Sequence, residues 1–259
     1  MGHIRLARLP GTKRWDQVVE LLRVGGSIGQ LAAATAHAAE TELQSAQGDK
    51  ALAYTVWLLT QLPLAARSQH FRERLAELGF NPGSERSVLA LVAGFSLAVD
   101  RNIVGQNDHT DLGELARQAA AESLSSFVGS ATKSLFGTTA DDVQRELGRL
   151  ASKDRFARLA RDFFARLTQK TLEYYISREL PNHVGPGKSL QTIDRQIDFR
   201  VALERHCREA AQIVEEFAGG WYSKSNFHGT LNPATAQGFA DYALKKMRDE
   251  LRRRRSSNG

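Results

Sequence analysis

An all-α fold, a multi-helix bundle, follows from three features of this sequence. Apolar residues recur at steps of three and four, as at Phe156, Leu159, Phe163 and Leu167. N-cap and capping-box patterns precede the apolar runs, and glycine or proline follows them. No stretch alternates apolar and polar residues with period two, the mark of a half-buried strand.

The elements can be justified in order. Trp15, Val18, Val19 and Leu22 give an amphipathic helix that stops at Gly25-Gly26, because glycine takes the left-handed C-cap conformation without penalty. Ser27 with Gln30 is a capping box that opens an alanine-rich helix to about residue 47. After Gly48, a helix over 51–62 is expected to end at Pro63, which has no N–H to donate. A helix over 71–78 stops at Gly79, and the turn Asn81-Pro82-Gly83 leads into an apolar helix over 85–99. The apolar run 88–99, broken only by Ser96, is shorter than the ~20 residues of a membrane span, so a buried helix is expected.

The polar, aperiodic stretch 100–110 suggests a division into two packed subdomains, 1–105 and 106–259. Asp111 with Glu114 reads as a capping box for a helix rich in small residues, among them Ala119 to Ala121, Ser125, Ser126 and Gly129. Thr138, Thr139, Asp141 and Asp142 start a short helix, and a long one is predicted over 153–180. Beyond a proline- and glycine-rich break, Ser189 is expected to cap a second long helix carrying Phe199, Leu203, His206, Ala210, Ile213 and Phe217. A loop over 219–231 follows, and the last helix starts with Asn232 as N-cap and Pro233 in its first turn.

Composition narrows the function classes. The 259 residues are 42% hydrophobic and 25% charged, the balance of a globular protein. A single cysteine, Cys207, excludes an internal disulfide and paired-cysteine zinc sites, which suits a cytoplasmic protein. The start, MGHIRLARLPG, lacks the apolar run of a secretory signal. The net charge is +6 and the pI about 9.6. Its placement is uneven. Arg5, Arg8, Lys13 and Arg14 stand among residues 1–14 with no acid. Lys245, Lys246, Arg248, Arg252, Arg253, Arg254 and Arg255 outweigh Asp241, Asp249 and Glu250 at the other end, leaving the body net acidic. A polyanion contact is therefore expected at the termini rather than in a basic cleft, and if the C-terminal cluster grips nucleic-acid phosphates, deleting residues 252–259 is expected to leave folding intact.

Motifs for chemistry are sparse. Gly185 to Ser189 matches the end of a phosphate-binding loop, but Asn182 stands where its first glycine belongs, and a helix, not a strand, precedes it. His37 with Glu40 and His70 with Glu73 share helix faces in the order opposite to the Glu-x-x-His of di-iron bundles, so no metal and no cofactor is expected. The acids interleaved with Arg155, Arg158, Arg161, Arg166 and Lys170 mark a solvated helix face with pairs such as Arg158–Asp162 and Asp162–Arg166. In the expected loop, Trp221, Tyr222 and Lys224, with Asn226, Phe227 and His228, are candidates for stacking a base or receiving a partner.

Arg178 and His183 fit R-x₄-H, and Arg200 with His206 fits R-x₅-H. This resembles the R-x₄₋₆-H element of HEPN-type ribonucleases. The resemblance implies a small all-helical bundle that dimerises, in which the arginine holds an RNA phosphate and the histidine moves a proton at the 2′-hydroxyl without metal.

The sequence therefore suggests a non-catalytic adaptor, regulator or subunit of a larger complex. Its partner would be a protein, with basic termini contacting an acidic surface or nucleic acid. The alternative is a metal-independent ribonuclease using Arg178 and His183. For the fold, far-UV circular dichroism should report helix well above the ~30–35% of average globular proteins, and a strand content of about a quarter would overturn this reading.

Overall fold

The computed structural model describes residues 9–106, 110–131, 139–177, 179–185, 188 and 190–257, without the side chains of 106, 130, 131 and 254–257. The chain is 82% helical, with eleven α-helices and no strand among the described residues. In order these are α1 (Lys13–Val24), α2 (Ile28–Ser45), α3 (Lys50–Ala66), α4 (Phe71–Glu77), α5 (Val88–Gln106) and α6 (Asp111–Ala131). They continue with α7 (Ala140–Arg149), α8 (Lys153–Ile176), α9 (Ile193–Ala210), α10 (Gln212–Phe227) and α11 (Pro233–Ser257). Short 3-10 turns occupy Ser84–Arg86 and Leu180–His183, and a lone bridge joins Val184 to Leu190.

Local chemistry explains most boundaries. The Ser27–Gln30 box closes in both directions, as does Thr139–Asp142, and Asn232 accepts the N–H of Thr235 at 3.0 Å. Gly25 ends α1 at φ +83°, with the Gly26 N–H returning to the Leu21 carbonyl.

Several elements differ from expectation: α8 ends at Ile176 rather than near 180, and α9 begins at Ile193 with Thr192, not Ser189, as its N-cap. α3 runs through Pro63 to Ala66, because Leu62, Pro63 and Ala65 are buried and Gln144 of α7 donates to the Ala66 carbonyl; tertiary packing holds a turn that lost one N–H. α5 continues to Gln106. Thr110, not Asp111, caps α6 by accepting the Gly113 N–H at 2.9 Å, while Glu114 pairs with Arg117 and Gln118. Finally, the expected long helix breaks at Ala211, and residues 212–227, expected to be partly loop, form α10. The glycine there serves a close approach. A Cβ on Gly219 would lie 2.5 Å from the Lys153 carbonyl, so only glycine lets α10 pack this tightly on α8.

Three helices organise the interior. α8 packs against α2, α6, α9 and α10, while α3 packs against α5, α6, α7 and α11. α2 contacts α1, α8, α9 and α11. One cluster of buried apolar side chains extends from Trp15 of α1 to Leu251 of α11. Phe163 and Phe164 of α8 are each 1% exposed within it, and Phe→Ala in a core costs about 3–5 kcal/mol.

α2 also carries two buried carboxylates. Glu42 accepts the Trp15 Nε1–H at 3.2 Å and is hydrogen-bonded to Tyr175, tying α1 and α8 to α2. Glu40 is held by Arg14 at 2.7 Å and by Arg252, whose Nε donates to Oε1 at 2.8 Å. Burial holds the Glu42 carboxyl above its ordinary range, only partly offset by the Trp15 and Tyr175 hydrogen bonds. Desolvation, together with Glu42, in turn pushes the Tyr175 hydroxyl up to about 12.

A carboxyl raised in the native state favours the fold below its unfolded pKa, and that advantage is lost as pH rises through the native value. Glu42→Gln keeps an oxygen for the Trp15 N–H and removes the ionisation. The difference in melting temperature, Glu42→Gln minus parent, should therefore be more positive near pH 7 than near pH 4. An equal difference at both would mean that Glu42 ionises as it does in the unfolded chain.

Candidate functional site

The C-terminal cations form the first candidate, and the fold uses several of them internally. Arg252 turns onto the buried Glu40, and Arg253 pairs with Glu250, itself buried, at 2.7 Å. Lys246 sits 5.4 Å over the Tyr242 ring, and Arg248 is half-buried. Lys245 projects into solvent. Arg254 and Arg255 continue the helix backbone, and their side chains lie outside the described residues. Deleting 252–259 would take Arg252 away from the buried Glu40 and leave Arg14 on that carboxylate.

The aromatic candidates are distributed differently from a loop. On α10, Tyr222 is 1% exposed and stacks on Phe156 with ring centroids 3.9 Å apart. Its hydroxyl donates to the Thr60 carbonyl at 3.4 Å, and burial pushes its pKa up. Trp221 is half-buried and stacks on Phe239 of α11 at 4.0 Å. Lys224 is exposed, as is Phe227 at the end of the helix. The helix thus buries two of its aromatic rings as internal packing and leaves a cation and a phenyl ring outside.

Arg178 lies outside the described residues, so the pair Arg178–His183 does too; His183 itself is half-buried at the end of a 3-10 turn. Arg200 and His206 stand on α9, where six positions at about 100° each leave them roughly 120° apart around the axis. Gly185 and Lys188 of the glycine-rich segment are described, its other residues are not, and the turn before it is 3-10. Among the described residues no group of three or more His, Cys, Asp or Glu is placed to hold a metal. Cys207 is fully buried, and desolvation raises its thiol pKa.

The charged face of α8 ties helices together. Asp162 accepts from Arg166 at 2.7 Å and from Ser123 of α6 at 2.8 Å, and pairs with Arg208 of α9 at 3.5 Å. Arg158 lies nearer Glu215 of α10, at 3.8 Å, than the Asp162 expected from spacing, and Arg161 donates to the same Glu215 at 2.8 Å.

Two apolar rows also face solvent. α5 exposes Leu89 (80%), Leu97 (43%) and Val104 (62%), with Ala93 exposed between the leucines. Leu89, Ala93 and Leu97 follow at i, i+4 and i+8, one ridge of the helix. No charged residue occurs between Val88 and Val99. The opposite face, with Leu91, Phe95, Ala98 and Val99, is buried. Lower down, Asp100 pairs with Arg117 of α6 at 3.1 Å, and Arg101 donates to the Gly79 carbonyl and to Asn81. The window Val88–Gly105 is long and apolar enough to cross a membrane, with a mean hydropathy of 1.5, and 33% of it is buried in the bundle. The expected buried helix is therefore covered on one side only. α9 shows a second such row, Ile193, Ile197 and Val201, beside its buried Phe199 and Leu203. The signal for both rows was present in the sequence as apolar residues on two faces of one helix.

No family model, curated protein or solved structure matches this chain.

The two kinds of α10 residue should separate on mutation. Tyr222→Ala should destabilise by about 3–5 kcal/mol, as for other buried aromatics. Lys224→Ala should stay within about 0.5 kcal/mol. Denaturant melts of both variants would check this, and equal small effects would show that Tyr222 does not support the core.

Proposed function

We propose that this chain is a non-catalytic helical adaptor or subunit that holds a protein partner on the exposed ridge of α5. The observation that supports this reading is the row Leu89, Ala93, Leu97 and Val104, left in water on a helix whose other face is fixed in the core. Burying a large aliphatic side chain gains roughly 1.5–3 kcal/mol, so covering the two leucines and the valine provides a real driving force. From Leu89 to Val104 the ridge runs about 22 Å, four turns, the length over which an amphipathic partner helix can lie. The small Ala93 between two leucines leaves a notch for a partner side chain. Exposed Lys13 and Lys245 would add steering toward a partner with an acidic rim.

A photo-crosslinking residue in place of Ala93, in the full chain expressed in its native cell, identifies what covers the ridge. The partner so found is then purified, and its affinity is measured for the parent, Leu89→Lys and Leu97→Glu. Each substitution should weaken binding by roughly thirtyfold or more, the scale of an interface hot spot, while leaving the thermal melt in place. A partner bound equally well by both variants, or no crosslink at this position, would end the proposal.

A further inference from the structure

The apolar row on α9 has a charged stripe beside it, and the order of charge along that stripe points to what covers the row. Ile193, Ile197 and Val201 follow at i, i+4 and i+8, and each is more than half exposed. Phe199 and Leu203 hold the other side of the helix in the core. Single exposed aliphatic side chains are ordinary, but three along one line of a helix form a patch. One flank of the row carries Asp194, Asp198 and Arg205, all exposed. Asp194 and Arg205 are eleven positions apart, which at about 100° per residue leaves them roughly 20° apart around the axis. Asp198 lies within about 40° of both. Among the described residues, none of these three charges is paired within the chain. The stripe is thus acidic toward the start of α9 and basic toward its end. The helix dipole favours an acid in the first turn, which accounts for Asp194 alone.

We infer that α9 is the surface through which two copies of this chain associate, the two α9 helices packing antiparallel about a two-fold axis between residues 199 and 200. A two-fold contact uses the same patch on both copies, so the patch must complement itself when reversed. This stripe does. The acidic start of one α9 lies beside the basic end of the other, and Asp194 meets Arg205 of the second copy at both ends. Parallel packing would set like charge against like. In the antiparallel register Ile197 lies within one residue's rise of Val201 of the second copy, so the two apolar rows close on each other. On the opposite flank Arg200, also exposed, approaches its own counterpart across the axis, the one unfavourable charge contact in this register. The α5 ridge takes no part in the contact, so each copy keeps its own.

Sedimentation equilibrium of the full chain at low salt, from about 1 µM to about 1 mM, reads the association. The parent should dimerise. Ile197→Glu should weaken the dimer by roughly thirtyfold or more, the scale of an interface hot spot. Asp194→Arg and Arg205→Asp should each weaken it by about tenfold or more, because each sets like charges together at both ends. Mixed in equal amounts, those two variants should associate about as tightly as the parent, since opposite charges then meet again at both ends. Arg200→Gln should tighten the parent dimer, and Leu97→Glu on the α5 ridge should leave it unchanged. Circular dichroism melts confirm that each variant is folded. A parent that stays monomeric throughout overturns the inference, and the row then belongs to a different partner. A mixture of Asp194→Arg and Arg205→Asp no more associated than its components also overturns it, as does a dimer that survives Ile197→Glu but not Leu97→Glu.

Discussion

A carboxylate removed from water must meet a donor or a cation, because an uncompensated buried charge costs several kcal/mol. α2 places two such groups, Glu40 and Glu42, on a helix enclosed by α1, α8, α9 and α11. Their needs fix the neighbours. Glu42 takes the indole N–H of Trp15, the largest fully buried side chain, and a hydrogen bond with Tyr175, so α1 and α8 are set relative to α2. Glu40 takes Arg14 and Arg252, so residues far apart in sequence converge on one side chain. Apolar burial supplies most of the driving force, but it is non-directional. The two carboxylates supply direction, since each tolerates few arrangements of the helices around it.

α3 shows the complementary principle, one helix with two uses. Leu52, Val56, Leu59 and Leu62 enter the core, while Lys50, Tyr54, Trp57 and Gln61 face outward along one side. α5 is similar: Phe95 and Leu91 anchor it, Asp100 and Arg101 clamp its lower half, and the opposite ridge stays uncovered. A surface feature held by a buried face keeps its shape before any partner arrives, which lowers the ordering cost of binding.

Elements governed by local chemistry were legible in the sequence. The boxes Ser27–Gln30 and Thr139–Asp142, the Asn232 cap and the Gly25 stop each involve residues within five positions of one another, and each forms as read. What was not legible depends on distant partners. Gly219 looks like a loop residue until the Lys153 carbonyl is placed beside it. Pro63 looks like a stop until the packing around α7 is known. Arg252 reads as one of four consecutive arginines facing solvent, and only the position of Glu40 reveals an internal role. For the candidate surface, composition showed α5 to be apolar, but which half of it is covered depends on where α6 and the turn before it pack.

The convergence on Glu40 also has a temporal side. The ribosome delivers α2 after Arg14 and Trp15, but Arg252, the second cation on Glu40, follows 212 positions later. Until then, the surfaces of α2 and α3 that α11 will cover remain open. Most all-helical proteins fold fast because their contacts are local, but here a defining contact spans 212 positions. The surfaces of α2 and α3 that α11 covers are thus completed only after α11 has been made. A chain that stops before α11 would leave the apolar surfaces of α2 and α3 uncovered, the kind of exposure that promotes aggregation.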